Sequence, residues 1–151
     1  MKFEINNSDC GINAEEKYYL DEKSFDCVPQ VNVDINLAIA YLNIGVDSED
    51  MRIKCLWGFS PRESWKDARL CTPTATKGSI KLLGDYESGL TWRIDKGGMW
   101  ESLYDEQTGW YCIGKNVIDE SDSAVSIMQN MIVVIDANSE LTSVWVKPIF
   151  V

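Results

Sequence analysis

Aromatic side chains crowded into one part of the chain are the first candidates for chemistry. Six of them fall within 26 residues, namely Tyr86, Trp92, Trp100, Tyr104, Trp110 and Tyr111. The sequence predicts that four form a flat platform for a sugar, a planar ligand or a partner protein: Trp92, Trp100, Tyr104 and Trp110. The alternative is that these rings pack in the core, as large aromatic side chains usually do in small β domains.

A basic segment in an acidic chain is the second candidate. Residues 52–81 carry seven basic and two acidic side chains, although the whole chain has a net charge of −10. Cations alternate with aromatic rings there, and the predicted binding patch comprises Trp57, Arg62, Trp65, Lys66 and Arg69. Arginine forms paired hydrogen bonds with carboxylates and phosphates, so an anion or an acidic partner would dock on this patch. The alternative is that the segment pairs with its acidic neighbours.

Carboxylates close to tryptophans offer a third possibility, glycosidic hydrolysis. The candidates are Glu87, Glu101, Asp105 and Glu106. This chemistry requires two carboxyl groups held roughly 5–9.5 Å apart beside a sugar-sized cleft. A chain of 151 residues is small for such a cleft, so the hydrolase is the weakest of the three hypotheses.

Metal and nucleotide motifs are poorly represented. Two acidic segments could bind calcium, Asp47-Ser48-Glu49-Asp50 and Asp119-Glu120-Ser121-Asp122, but neither has the glycine and terminal glutamate of a calcium loop. Gly97-Gly98 is the only pair of adjacent glycines, and no phosphate-binding glycine motif occurs. We therefore expect solvated loops, a plain turn, no metal and no cofactor.

The chain contains no histidine. This absence removes Ser-His-Asp and Cys-His nucleophile systems and the usual general base near neutral pH. The negative charge also argues against nucleic acid, because phosphates would be repelled. We expect a protein that is not an enzyme.

Cysteine usage and the termini indicate the compartment. The five cysteines, Cys10, Cys27, Cys55, Cys71 and Cys112, are an odd number without a C-x-x-C motif. No signal peptide is recognisable in residues 1–9, and no run of 18 uncharged apolar residues occurs. We expect reduced, packed thiols in a soluble cytoplasmic protein that does not bind membranes and forms a single domain over 1–151.

Residues 31–59 carry the clearest structural pattern. Apolar side chains occupy the odd positions from Val31 to Tyr41 and again from Met51 to Phe59. Because side chains alternate across a strand, this pattern predicts a two-stranded hairpin in which Tyr41 pairs with Cys55 and Ile39 pairs with Trp57. A helix over 34–44 is the alternative, since Ile35, Ala38, Ile39 and Leu42 also fit a helical stripe.

One short helix is predicted after this hairpin, over 61–70. Ser60-Pro61-Arg62-Glu63 has the serine, proline and glutamate typical of a helix start, and Pro73 lies beyond its end. Further strands are predicted at 1–5, 80–83, 90–94, 99–104, 110–114, 131–135 and 141–147, and the continuous apolar run at 131–135 indicates a strand covered on both faces. The charged stretch Asp21–Asp26 indicates no strand.

About eight or nine short strands with one helix predict a mainly β fold, a small antiparallel barrel or sandwich. The leading functional hypothesis is a non-enzymatic domain that binds a basic protein, for example by neutralising a cationic toxin, because complementary charge speeds association. The alternative is a β domain that binds a small molecule or carbohydrate.

Overall fold

Residues 1–8, 11–94 and 100–151 are described by a computed structural model of the chain. These residues form sixteen β-strands and one 3-10 turn, Arg62–Ser64, so the predicted mainly β fold is confirmed. None of their helices is long and apolar enough to cross a membrane. The predicted Gly97-Gly98 turn and Cys10 lie outside the described residues.

The strands assemble into two sheets. In chain order they are β1 (Lys2–Asn6), β2 (Glu15–Tyr19), β3 (Ser24–Val28), β4 (Ile35–Ile39), β5 (Leu42–Asp47), β6 (Arg52–Phe59), β7 (Lys66–Asp67), β8 (Thr76–Lys77), β9 (Ser79–Leu83), β10 (Thr91–Arg93), β11 (Ser102–Asp105), β12 (Trp110–Gly114), β13 (Ser123–Met128), β14 (Met131–Ile135), β15 (Leu141–Val146) and β16 (Ile149–Phe150). The first sheet has the order β10-β4-β5-β6-β3-β2-β16, with β9 beside β6 and β1 beside β9. The second has the order β7-β11-β12-β15-β14-β13-β8.

Strand pairing is antiparallel within each sheet and parallel at the ends. The parallel pairs are β10–β4, β16–β2, β11–β7 and β13–β8. Four of the strands contain only two or three residues, β7, β8, β10 and β16. Three of these short strands, β7, β8 and β16, are additional to the eight or nine predicted, as are the longer strands β2, β3, β5 and β13.

The main core lies between the two sheets. Phe25 and Ile44 from the first sheet and Val133 and Val144 from the second belong to one buried apolar cluster, which makes the fold sandwich-like. The opposite face of the second sheet carries a smaller cluster that contains Cys112, Ile132, Val134 and Trp145 and is covered by Leu70. The prediction that the 131–135 strand is covered on both faces is therefore confirmed.

Asn130 connects the two sheets by hydrogen bonds. Its amide Nδ2 donates to the carbonyl oxygens of Glu16, at 2.9 Å, and Lys147, at 2.8 Å, and its Oδ1 accepts from the Glu16 N–H at 2.9 Å. Asn130 lies in the β13–β14 turn of the second sheet, whereas Glu16 lies in β2 of the first. One side chain thus satisfies three backbone groups.

The predicted hairpin over 31–59 is wrong in its strand count and register, although strand rather than helix is confirmed for 34–44. Ala40 and Tyr41 form a two-residue turn, in which Ala40 has φ +54°, so that Ile39 pairs with Leu42. Leu42 then pairs with Gly58, and Gly45 with Cys55. Three strands replace the predicted two, because the chain reverses within the run of apolar odd positions.

The predicted helix over 61–70 is also wrong. Only Arg62–Ser64 forms a 3-10 turn, and Ser60 makes no helix cap because its hydroxyl accepts a hydrogen bond from the Trp65 indole at 2.9 Å. Lys66 and Asp67 instead pair with β11. Burial of Trp65 and strand pairing therefore outweigh the local helix-start signal.

The stretch Asp21–Asp26 contains the start of an unpredicted strand, β3. Phe25 and Cys27 are buried while Ser24 and Asp26 are only partly buried, so the charged residues occupy the outer positions. The strands predicted at 99–104 and 110–114 are found as β11 and β12, which pair as a hairpin whose turn ends at Gly109 with φ +80°.

Candidate functional site

Two aromatic side chains are unusually exposed at one end of the first sheet. Tyr41 is 84% exposed and Phe59 is 52% exposed. Tyr41 lies in the two-residue β4–β5 turn, and the Leu42–Gly58 pairing places it beside Phe59 at the end of β6. Gly58 permits this approach, because a Cβ there would lie 3.2 Å from the Tyr41 carbonyl oxygen and its φ is +121°.

A cleft of ≈230 Å³ opens beside these two rings. The surface that we call the Tyr41–Phe59 face comprises both rings and the neighbouring cleft residues Pro61, Lys66, Trp100 and Glu101. Trp100 is held in place because its indole N–H donates to the Ile94 carbonyl at 2.8 Å. The face therefore combines one fixed ring, Trp100, with the two exposed rings of Tyr41 and Phe59.

Charged side chains around this face are paired within the chain. Lys66 Nζ lies 2.6 Å from Glu101 Oε1, and Lys23 Nζ lies 3.1 Å from Glu63 Oε1. Arg93 donates to the Ala40 carbonyl at 3.3 Å. Exposed ion pairs contribute little to stability, so a partner protein can rearrange them at small cost.

An aromatic cluster beneath the face supports the segment that follows Phe59. The cluster is formed by Tyr18, Phe25, Trp65, Tyr104, Tyr111 and Phe150, whose neighbouring ring centroids are 4.8–6.5 Å apart. The Tyr18 hydroxyl donates to the Ser60 carbonyl at 2.7 Å, and Ser60 itself is buried. Burial raises the pKa of the Tyr111 hydroxyl, which shares a hydrogen bond of 2.7 Å with Ser102.

The predicted basic patch is distributed over four places. Arg62 lies against the aromatic cluster, since its guanidinium is 4.9 Å from the centroid of the Phe150 ring and 5.8 Å from that of Trp65. Lys66 lies on the Tyr41–Phe59 face, paired with Glu101. Trp57 lines another cleft and donates from its indole to Asn36 at 3.1 Å. Arg69 lines a cleft beside Tyr104 and Asp105.

The four residues of the predicted aromatic platform are also separated. Trp92 packs edge-on against Tyr86 at 5.2 Å and lines a cleft of ≈470 Å³. Trp100 belongs to the Tyr41–Phe59 face, and Tyr104 belongs to the aromatic cluster. Trp110 packs against the smaller core cluster on the outer face of the second sheet.

The candidate carboxylates make structural contacts. Asp105 accepts hydrogen bonds from the backbone N–H groups of Leu70 and Gln107, both at 2.9 Å, and these bonds lower its pKa. Lys115 Nζ lies 2.7 Å from Asp119 and 3.0 Å from Asp122, and both carboxylates raise the lysine pKa. Within residues 1–8, 11–94 and 100–151, no three acidic or cysteine side chains are placed to hold a metal ion.

Sequence reasoning did not identify Tyr41 and Phe59 as surface residues, because both fit the odd-position apolar pattern. The available signal was the change of parity after Tyr41, where Leu42, Ile44 and Val46 continue on even positions. Such a switch marks a reversal of the chain.

Together, the fold and the Tyr41–Phe59 face define an all-β, sandwich-like protein with an exposed aromatic contact surface. No model of a known protein family matches the chain. A search of curated proteins likewise finds no significant match.

Proposed function

We propose that this chain is a non-enzymatic, protein-binding domain that contacts its partner through the Tyr41–Phe59 face. The observation that carries the proposal is the exposure of Tyr41 and Phe59, at 84% and 52%, next to a cleft and a rim of paired charges. Protein interfaces commonly have aromatic anchors at the centre and a polar, hydrated rim.

The favoured partner is a basic protein, of which a cationic toxin neutralised in the cytoplasm is one concrete case. A net charge of −10 attracts such a partner over a long range and speeds association. Near the face, Lys66 and Lys23 are each paired with a glutamate, which reduces the local repulsion of a basic surface. Charge therefore selects the partner, and the rings supply the contact.

The test is affinity capture from the source cell at low and high salt, followed by mass spectrometry. We compare the wild type with Tyr41→Ala/Phe59→Ala and with Val117→Ala, an exposed apolar control in another cleft. If the two aromatic anchors together contribute about 2 kcal/mol or more to binding, removing both should lower the affinity for a specific partner by at least about 30-fold. The proposal predicts that the wild type and Val117→Ala both capture a basic protein at low salt. The double variant should not capture this protein, and high salt should prevent its capture by the wild type.

Two other outcomes would refute parts of this proposal. A captured protein that binds equally well in high salt would contradict a charge-selected partner. Equal retention by the wild type and the double variant would remove the Tyr41–Phe59 face as the contact surface. A generic basic protein such as lysozyme serves as the control for unspecific charge attraction.

Trp92 supports a second candidate function, the binding of a small molecule or carbohydrate. Its indole Nε1 is buried without a hydrogen-bond partner among the described residues, and its ring lines the ≈470 Å³ cleft with Tyr86 and Phe3. A buried, unsatisfied N–H is unfavourable by about 1–3 kcal/mol, which a ligand carrying an acceptor would relieve. Calorimetric titration with sugars and planar acceptors should detect binding that Trp92→Phe weakens; equal binding by that variant would refute this site.

A further inference from the structure

Two buried thiols meet between strands of the first sheet. Cys27 in β3 and Cys55 in β6 are both free cysteines and only 2% exposed. Both side chains line one cleft between the paired strands β3 and β6, and the Cys27 thiol donates a hydrogen bond to the Pro29 carbonyl oxygen at 3.7 Å. Two neighbouring thiols can be joined as a disulfide, whereas a single buried cysteine cannot.

A cleft gives small molecules a path to this pair. It has a volume of ≈200 Å³ and is lined by both cysteines together with Asp26, Gln30, Val31, Val33 and Trp57. Gln30 is exposed, so the rim reaches solvent. The cleft is too small for a protein or a tripeptide thiol but admits a molecule the size of hydrogen peroxide.

Gly45 makes room for the Cys55 sulfur. A Cβ at this position would lie 3.0 Å from Cys55 Sγ and 2.6 Å from Val33 Cγ1. Any larger residue would push the sulfur or the Val33 side chain aside. The absence of a side chain at Gly45 is thus part of the geometry that holds the thiol pair.

A buried carboxyl group with an unused oxygen lies next to the thiols. Glu16 is fully buried and pairs with Cys27 in the β2–β3 register. Its Oε1 accepts the Leu56 N–H at 2.8 Å, whereas its buried Oε2 has no hydrogen-bond partner within residues 1–8, 11–94 and 100–151. Burial raises the pKa of this carboxyl well above its usual range, so that it retains a proton as the pH rises above its ordinary value.

The two thiols are not equivalent. Interaction with the neighbouring Cys55 thiol stabilises a negative charge on Cys27 and lowers the Cys27 pKa, although burial and, to a smaller extent, Asp26 oppose this effect. The same interaction and burial raise the pKa of Cys55. Since the thiolate is the reactive form, Cys27 is the expected nucleophile and Cys55 the resolving thiol.

We propose that Cys27 and Cys55 form a peroxide-sensitive redox site that closes to a disulfide, with Glu16 as its proton donor. The Cys27 thiolate attacks one oxygen of hydrogen peroxide, the O–O bond breaks, and the departing hydroxide takes the Glu16 proton to become water. The Cys55 thiol then displaces hydroxide from the Cys27 sulfenic acid, forming the S–S bond and a second water. Each sulfur is oxidised by one electron and the peroxide is reduced by two; a small dithiol reduces the disulfide, and its two protons restore the Cys55 thiol and the Glu16 carboxylic acid beside the Cys27 thiolate.

This site uses none of the residues of the Tyr41–Phe59 face, so its test does not depend on the proposed function. The test protein is the full chain with Cys10→Ser and Cys71→Ser, which leaves Cys27, Cys55 and Cys112. Cys112 is a matched control, because it is also buried and its pKa is raised by burial.

The experiment treats this protein with hydrogen peroxide, blocks free thiols under denaturing conditions, and maps the tryptic peptides by mass spectrometry. Trypsin places the two cysteines on separate peptides, residues 24–52 and 55–62. We expect a peptide pair linked through Cys27 and Cys55, formed at least about tenfold faster than Cys112 is oxidised. Oxidation of Cys112 at the same rate, or of Cys27 without a link to Cys55, would overturn the proposal.

Two variants separate the assigned roles. In Cys55→Ser, the hydroxyl can still interact with the Cys27 thiolate but cannot form a disulfide, so the Cys27 sulfenic acid should accumulate and be trapped by dimedone; trapping on Cys112 instead would refute Cys27 as the nucleophile. Glu16→Gln preserves an acceptor for Leu56 but removes the acidic proton. This variant should slow the peroxide step by about 100-fold, the lower end of general acid catalysis, and an unchanged rate would remove Glu16 from the proposal. Circular dichroism verifies that each variant is folded.

Discussion

Replacing Glu16 by glutamine should change how the stability of this protein depends on pH. Glu16 is fully buried, and loss of hydration raises its pKa well above the ordinary value of 4.5. The folded chain therefore binds this proton more tightly than the unfolded chain does. Its contribution to stability is fully present below about pH 4.5 and is lost as the pH rises through the folded-state pKa.

The size of the effect follows from the binding of one proton. Between the unfolded and folded pKa values, the free energy of unfolding decreases by about 1.4 kcal/mol for each pH unit. Glutamine keeps the acceptor for the Leu56 N–H, now 2.8 Å from Glu16 Oε1, but has no proton to lose. Glu16→Gln should therefore remove this decrease and be more stable than the wild type at alkaline pH.

Few other groups disturb this pH window. The carboxyl groups of Asp34, Asp50 and Asp105 have lowered pKa values, mainly through hydrogen bonds or a neighbouring lysine. Lowered values act in the opposite direction: their stabilisation is present above about pH 3.8 and is lost only as the pH falls below it. Cys27 also has a lowered pKa, and its contribution to stability increases as the pH rises toward 9, but the wild type and Glu16→Gln both contain Cys27. The difference between these two proteins above pH 4.5 can thus be assigned to Glu16.

The assay is urea unfolding followed by tryptophan fluorescence, at intervals from about pH 5 to about pH 8. Glu4→Gln, which removes an exposed carboxyl group from β1, is the matched control and should follow the wild type. If the wild type and Glu16→Gln show parallel pH dependence, the reasoning about the buried carboxyl is refuted.

Three further predictions concern stability. Asn130→Ala removes three hydrogen bonds, two of them between the sheets, and should lower the free energy of unfolding by about 3 kcal/mol, whereas the exposed control Asn116→Ala should have little effect in the same urea assay. Gly114→Ala places a Cβ 2.4 Å from a backbone oxygen and should destabilise far more than Gly89→Ala, which has positive φ but open space; equal melting temperatures would contradict this. Trp65→Ala should lower the free energy of unfolding, measured by chemical denaturation, by about 3–5 kcal/mol, because it removes the ring at the centre of the aromatic cluster. A decrease below about 1 kcal/mol would be incompatible with that packing.

The mainly β fold could be predicted because alternation is a local property of the chain. Ile35, Leu37 and Ile39 alternate with polar or small residues, and this pattern identifies a strand regardless of its neighbours. The continuous apolar run 131–135 similarly indicated burial on both faces. Neither inference required knowledge of which strands pair.

The candidate site could not be predicted in the same way. Ala40-Tyr41 has none of the glycine or asparagine signals of a tight hairpin turn, so Tyr41 was assigned to the core side of a strand. Arg62, Trp65 and Trp57 are close in sequence, but the turn and strand after Ser60 send Trp65 into the aromatic cluster while Trp57 lines another cleft. The predicted patch therefore groups residues that are close in sequence, although the fold separates their side chains.

Residue type and local alternation are enough to establish that this chain forms β-strands, that it is strongly acidic and that it lacks histidine. The exposure of particular apolar side chains, and the proximity of distant thiols and carboxyl groups, follow only from the folded arrangement of the strands. Exposure of Tyr41 depends on where the chain reverses, and the contact of Cys27, Cys55 and Glu16 depends on the pairing of three separate strands. Strand order and register are set by packing over the whole core, which no local pattern encodes.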